Sequence, residues 1–409
     1  MLAETSRFRA GSTPQCFLSL HACVPSPSST PSAWRKVTAA GSVARRRGAP
    51  LLAAVLPAVV LPVLLAVAAQ AASSQVAPDR EIAGSSPRKV IIDTDPGTDD
   101  AMAILLALNS PELDVQALTV VPGNVTAAQG LENALRLVSL AGRCDVPVAH
   151  GAEHPLNQKL VTAEFWHGRN GLANIELPPS KCTADPRFGP DLIVELVHKY
   201  PHEITLVPIG PETNIALAVS KDPSIVPLVR DVVIMGGSIS GGNVNAAAEA
   251  NIYGDPEAAQ IVFNAGWPIT MVGLDVGNKT LVTRAHIAQL ERTHGPENDF
   301  VAGVLKFLID LSEKYGATGV QMYDPLAVGV AIDPGVVTTQ AMRVDIETRG
   351  QFTRGETVGN RGGTVERNVP HEGRLWIEAV DPVAPNARVA VEVNADRFLA
   401  MFLERIAGK

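Results

Sequence analysis

The chain has 409 residues, 46% of them apolar and 4% aromatic, with a formal charge of −8. The apolar share is ample for a buried core, and the length allows two or three domains or one large α/β domain. No basic patch stands out in the part that reads as folded, which argues against a nucleic-acid-binding face.

Charge is unevenly spread. Between Met1 and Pro78 there are seven Lys/Arg (Arg7, Arg9, Arg35, Lys36, Arg45, Arg46, Arg47) and one acid, Glu4; taking that +6 from −8 leaves −14 on the remainder. Residues 1 to 42 are rich in Ser, Pro and Ala, without periodicity, and predict no packed core. "RRRGAP" then leads into "LLAAVLPAVVLPVLLAVAAQAASSQ": a basic region, an apolar run and small residues around Ala69 to Ser73, the pattern of a signal peptide. Leu51 to Ala69 is close to a membrane span in length, although Pro57 and Pro62 weaken a plain helix. Residues 1–85 are therefore expected to be a leader that directs the chain to a secreted or periplasmic location. An uncleaved membrane anchor and an organellar transit segment are the alternatives. Membrane contact is expected only through this leader.

From Arg88 the pattern alternates. "KVIID" predicts a strand and "DDAMAILLALNS" a helix stopped by Ser110-Pro111. "LDVQALTVV", "NVTAAQGLENALRLVSLAG" and "PVAHG" predict strand, helix and strand. "PDLIVELVHKY", "EITLVPIG", "PETNIALAVSKDP", "VRDVVIMGG", "DPEAAQIVFNAG" and "PITMVGLDV" continue helix, strand, helix, strand, helix, strand. "RLWIEAV" and "ARVAVEV" predict late strands before a last helix, "ADRFLAMFLERIA". The expectation is one domain over 86–409: an α/β fold with an open, mostly parallel sheet, helices on both faces and a small C-terminal β/α extension. Cys16 and Cys23 fall in the leader. Cys144 and Cys182 have no zinc-type spacing and are expected to be unpaired core residues, with pairing in an oxidising compartment as the alternative.

Ligands of open parallel sheets bind beyond the carboxyl ends of the strands. After the first strand, "DTDPGTDD" crowds Asp93, Asp95, Asp99 and Asp100 around a Pro-Gly turn. Helix capping accounts for one or two of them; four together point to a hard cation with carboxylate ligands. Asn124 follows the second strand, and Thr213 and Asn214 follow "ITLVPIG"; each alone reads as a helix start. After "VVIMGG" a long Gly- and Asn-rich loop offers Asn243, Glu249 and Asn251, with Met235 just before it. Asp324 in "VQMYDPLAVG" precedes an apolar helix.

Taken in order, "DTDPGTDDAMA", "GNVT", "HGRNGL", "IGPETNIALA", "MGGSISGGNVNAAAEANIYGDPEAA" and "YDPLAVG" make residues 88 to 406 resemble the inosine–uridine-preferring nucleoside hydrolases. The resemblance implies hydrolysis of a ribonucleoside N-glycosidic bond to base and ribose, one Ca²⁺, and a homodimer or homotetramer. It implies Asp95 as calcium ligand and water-activating base, with Asp100, the Thr213 carbonyl and Asp324 as further ligands. Asp99 and Asn124 would hold the ribose 2′-hydroxyl side. Asn243, Glu249, Asn251 and Met235 would hold the rest, and Asp93 would support the motif. His167 would line the pocket mouth near the base. One position departs: many members read His-Asp where this chain reads Tyr323-Asp324. A phenol is a poor acid at neutral pH but its ring can stack on a base, and purine-specific relatives carry Trp there. A purine preference follows as an expectation, with His167 or Trp166 as compensating residues.

The same residues bear on two rival readings. A phosphatase of the haloacid-dehalogenase type also starts from Asp-x-Asp after a strand, but Thr or Val is usual where this chain has Gly97. A secreted nucleoside-binding protein would not need Asp95. "NVT" at Asn124 and "NKT" at Asn278 match the glycosylation pattern, with chance occurrence the preferred reading.

Overall fold

A computed structural model describes residues 86–360 and 384–408. The leader and the strand expected over 374–380 lie outside them. Among the described residues no helix is long and apolar enough to cross a membrane.

The body begins with β1 (Arg88–Thr94), α1 (Thr98–Leu108), β2 (Leu113–Val120), α2 (Ala127–Leu140) and β3 (Val148–His150). A one-turn helix α3 (Glu164–His167) and α4 (Gly189–Lys199) lead to β4 (Ile204–Pro208), α5 (Thr213–Lys221) and β5 (Asp231–Met235). Then come α6 (Ala250–Gly254), α7 (Pro256–Phe263), β6 (Ile269–Val272), α8 (Leu274–Gly277) and β7 (Leu281–Val282). The remainder is α9 (Arg284–Leu290), α10 (Pro296–Lys314), β8 (Val320–Gln321), α11 (Tyr323–Ile332), β9 (Val337–Ile346), β10 (Thr357–Asn360), β11 (Ala387–Val393) and α12 (Ala395–Ala407).

Nine strands form one sheet in the order β10-β9-β11-β6-β5-β4-β1-β2-β3. From β3 to β11 the pairs are parallel; β9 runs antiparallel beside β11, and β10 antiparallel beside β9. The β-branched run of β1 is buried on both faces, as an inner parallel strand requires. Val90 and Ile92 face one apolar core, Ile91 the other, the alternation that a strand imposes. Each such side chain contributes roughly 1.5–3 kcal/mol by leaving water. In α1 every residue except Asp99 is buried. This helix is enclosed all round, with α11 packed against it.

Three expectations are corrected. "PITMVGLDV" is not one strand: pairing ends at Val272, and Leu274–Gly277 turns into a short helix. Residues 284–314, where no element was expected, form α9 and the long α10, and β9 widens the sheet. Cys144 and Cys182 are bonded to each other. Cys144 lies just beyond α2, and the loop toward α4 returns Cys182 beside it. That approach is a tertiary matter that a spacing of 38 residues does not reveal.

Candidate active site

The chain builds outward from β1 through β2 to β3, then resumes on the other side of β1 with β4. The crevice between the ends of β1 and β4 is the point where strand order reverses, the usual ligand position of such sheets. The loops that meet there are "DTDPGTDD" after β1 and "GPETN" after β4.

The first loop is organised around Asp100. Its Oδ1 accepts from Thr94 Oγ1 (2.6 Å) and the Asp95 N–H (3.1 Å), and its Oδ2 accepts from the Gly97 N–H (2.9 Å) and Asn124 Nδ2 (2.8 Å). Through these four bonds Asp100 holds the turn and caps α1. Asn124 also donates its backbone N–H to Asp95 Oδ2 at 2.7 Å. It does not cap α2; Thr126 does. Asp95 is walled in where glycine leaves room: a Cβ on Gly123 would stand 2.1 Å from Asp95 Oδ2, and one on Gly210 2.6 Å from Oδ1. Asp93 lies deeper, accepting from Thr119 Oγ1 (2.5 Å) and Asn214 Nδ2 (2.8 Å). Burial pushes its carboxyl up to about 7.

Asp324 enters from the first turn of α11, and one carboxylate oxygen each of Asp99, Asp100 and Asp324 lie within 4.8 Å of one another. Burial raises the carboxyl of Asp324, and the carboxylates of Asp99, Asp100 and Asp95 raise it further. Asp95 is raised by burial and then by Asp100 and Asp99, and burial takes Asp99 to about 6. Asp95 Oδ1 and Asp99 Oδ1 are buried without a hydrogen-bond partner. Orphaned carboxylate oxygens, mutual repulsion and an all-oxygen donor set fit a hard divalent cation. The trio brought together contains Asp99 where Asp95 was expected; Asp95 lies beside it. Thr213, at the start of α5, is buried, and its hydroxyl donates to Asp255 Oδ2 at 2.7 Å.

The other expected residues divide. Glu249 caps α6, accepting from the Asn251 and Ile252 N–H groups, and also takes the Gly237 N–H at 2.9 Å. Asn251 Nδ2 donates to the carbonyls of Ile209 and Met235, each at 3.0 Å, and approaches Met235 Sδ at 3.1 Å, tying the ends of β4 and β5 together. Asn243 is exposed on its loop, held by its backbone N–H to Ala248. His167 is not an open wall of the mouth. It is buried, with Nδ1 accepting the Thr98 N–H (3.1 Å), 2.8 Å from Thr98 Oγ1 and 3.6 Å from Asp99 Oδ1. Burial lowers its imidazole to about 4. It is therefore neutral at pH 7, and the Thr98 bond places its proton on Nε2. Trp166 lies 6.1 Å, centroid to centroid, from the ring of Tyr315. Tyr323 is half-buried; its hydroxyl donates to Asn278 Oδ1 at 2.8 Å. Burial raises its phenol above the usual range, with Asp99 and Glu249 adding to the shift.

Sequence reasoning missed several supports. Thr98 seats His167. Asn214 links Asp93 to the Val120 carbonyl and accepts the Ala152 N–H. Asn133, from within α2, donates to the carbonyls of Pro96 (3.0 Å) and Asn170 (2.8 Å), pinning the acidic turn to the "HGRNGL" loop. Thr98 and Asn214 sat inside motifs; Asn133, in mid-helix, carries no signal of what it will meet.

Comparison with known proteins points the same way. The inosine-uridine preferring nucleoside hydrolase profile matches residues 90–400. The pyrimidine-specific ribonucleoside hydrolase RihA of Citrobacter koseri is 38% identical over 332 residues, covering 78% of this chain and 97% of its own length. Among solved structures, a plant nucleoside hydrolase, PpNRh1, gives a TM-score of 0.73 at 38% identity, over 79% of this chain and 100% of its own. A purine-preferring ribonucleoside hydrolase from Gardnerella vaginalis gives 0.71 at 37% identity, over 78% and 98%.

Proposed function

Because the chain belongs to the inosine-uridine preferring nucleoside hydrolase family, we propose that its acidic crevice hydrolyses ribonucleosides with Ca²⁺ bound, and that it prefers purines. That the chain is a ribonucleoside hydrolase, an N-glycosidase, follows from the family. The calcium, the residue roles and the base preference are the proposal. One observation carries it: Asp99, Asp100 and Asp324 converge within 4.8 Å beside Asp95, at the switch point of the sheet.

The chemistry follows from the residue types. Cleavage of the N-glycosidic bond develops positive charge on the sugar, which fixed carboxylates stabilise. Asp95, its Oδ1 without a partner, is the group proposed to take the proton of the attacking water. Asp99, with Asn124, faces the ribose 2′-hydroxyl side; Glu249 and Asn251, with Met235 and Asn243, take the rest. Asp95, Asp100, the Thr213 carbonyl and Asp324, joined by Asp99, would hold the cation. When bound, the cation supplies charge stabilisation and acidifies a water. A site built to satisfy ribose hydroxyls rejects deoxyribose, because unpaired buried polar groups are costly.

The purine preference rests on the Tyr323 ring, which offers an aromatic face to a base. Overall similarity does not decide it, since relatives at 38% and 37% identity carry opposite preferences in their names. His167, as a neutral Nε2–H donor, is the remaining candidate near the base. The reading of residues 1–85 as a signal peptide and the homo-oligomeric state stay part of the proposal.

Ribose release from inosine, adenosine, guanosine, uridine and cytidine, with Ca²⁺ and with chelator, tests the hydrolysis, the cation and the base preference. Purine-favoured release abolished by chelator is expected. Equal or faster uridine turnover refutes the preference, and full activity in chelator refutes the cation.

A further inference from the structure

Tyr323 begins α11, close enough to Asp99 and Glu249 for both carboxylates to act on its phenol. Its hydroxyl is already engaged: it donates to Asn278 Oδ1 at 2.8 Å. Asn278 ends α8, anchored by its own N–H to the carbonyls of Leu274 and Val276. Gly277, just before it, leaves the space the ring fills; a Cβ there would lie 2.5 Å from Tyr323 Cδ1. Thr280 closes the seat, with Oγ1 bonded to the carbonyls of Gly277 (2.8 Å) and Met322 (3.3 Å), while the Met322 N–H returns to the Thr280 carbonyl at 3.1 Å. Segments 277–280 and 322–323 are thus joined by hydrogen bonds between Thr280 and Met322 and between Asn278 and the Tyr323 hydroxyl.

A phenol has one proton to donate. Given the reading of this crevice as a ribonucleoside site, we infer that Asn278 is a positioning residue that makes Tyr323 a stacking face and a hydrogen-bond acceptor rather than a donor to the leaving base. With its proton on Asn278, the Tyr323 oxygen has only lone pairs left. The substrate group that meets it must bring its own hydrogen, as a hydroxyl or an N–H does. Substrates presenting a bare acceptor at that point meet only lone pairs and are disfavoured. Asn278 thereby sets a specificity at a site it does not itself touch.

The test is a double-mutant cycle in the full chain with Ca²⁺, read as kcat and KM for inosine ribose release. Asn278→Leu, which removes the acceptor, should lower kcat/KM by about five- to tenfold, chiefly through KM. Asn278→Asp, which keeps an acceptor, should restore most of that loss. In a Tyr323→Phe background the Asn278→Leu change should have no further effect. A loss that persists undiminished in that background, or no loss in Asn278→Leu, overturns the inference. Asn278 is exposed, so the variants should fold. An activity-independent readout stands beside the kinetics: the Asn278 side-chain amide ¹⁵N and ¹H resonances should shift on Tyr323→Phe, and unchanged resonances overturn the inference. Absence of ribose release by the wild type would instead count against the hydrolytic assignment, leaving the resonance shift to decide the Asn278–Tyr323 link.

Discussion

Gly123→Ala tests whether the placement of one carboxylate sets the rate. The glycine lies after β2, and a Cβ on it would stand 2.1 Å from Asp95 Oδ2 and 2.9 Å from Asp95 Cγ. Ordinary non-bonded contact is ~3.5 Å, so the carboxylate must retreat by more than roughly 1 Å. It has little room on the other side, where the missing side chain of Gly210 is what admits Oδ1. The retreat also stretches the 2.7 Å bond from the Asn124 N–H. Displacement of a reacting group by ~1 Å costs on the order of 100-fold, and that loss is expected in kcat for ribose release from inosine. Thermal unfolding would establish that the variant is folded. A folded Gly123→Ala enzyme whose kcat stays within about threefold of the wild type would refute the idea that Asp95 must sit where it does.

Two further outcomes are expected. Glu212 is fully buried beside Thr213, and neither carboxylate oxygen has a hydrogen-bond partner; Glu212→Leu should therefore raise stability by about 1–3 kcal/mol, and an unchanged or lower midpoint in denaturant unfolding would contradict this. His167, lowered from 6.5 to about 4 by burial, should remain a neutral Nε2–H imidazole by ¹⁵N NMR at pH 5, and titration near ~6.5 would refute it. The sign for stability follows: the unfolded chain binds this proton first, so the contribution of His167 is lost as pH falls from 6.5 toward about 4.

What could be read from the sequence was what local physics encodes. The β-branched run Val90–Ile92, the Pro96-Gly97 turn and the apolar run behind Asp100 specify strand, turn and helix within twenty residues. The alternation that follows allows little but a parallel sheet. Four aspartates within eight residues point to a cation site, because so many carboxylates are costly to gather at the start of a core without a partner for their charge. The pairing of Cys144 with Cys182, the extra helices α9 and α10, and the widening of the sheet by β9 were not legible. They depend on which surfaces meet, and periodicity does not report that.

The site divides in the same way. Sequence alone determined that Asp95, Asp99 and Asp100 share a turn, since their spacing is covalent. Tertiary structure decided that Asp324, more than two hundred residues away, joins Asp99 and Asp100 within 4.8 Å. It also decided that Asn124 serves the aspartates instead of capping a helix, that His167 is buried with its Nδ1 against Thr98, and that the Tyr323 hydroxyl donates to Asn278. Each of these is a contact between segments remote in the chain, and its partner is fixed by strand order and packing rather than by any property of the residue itself.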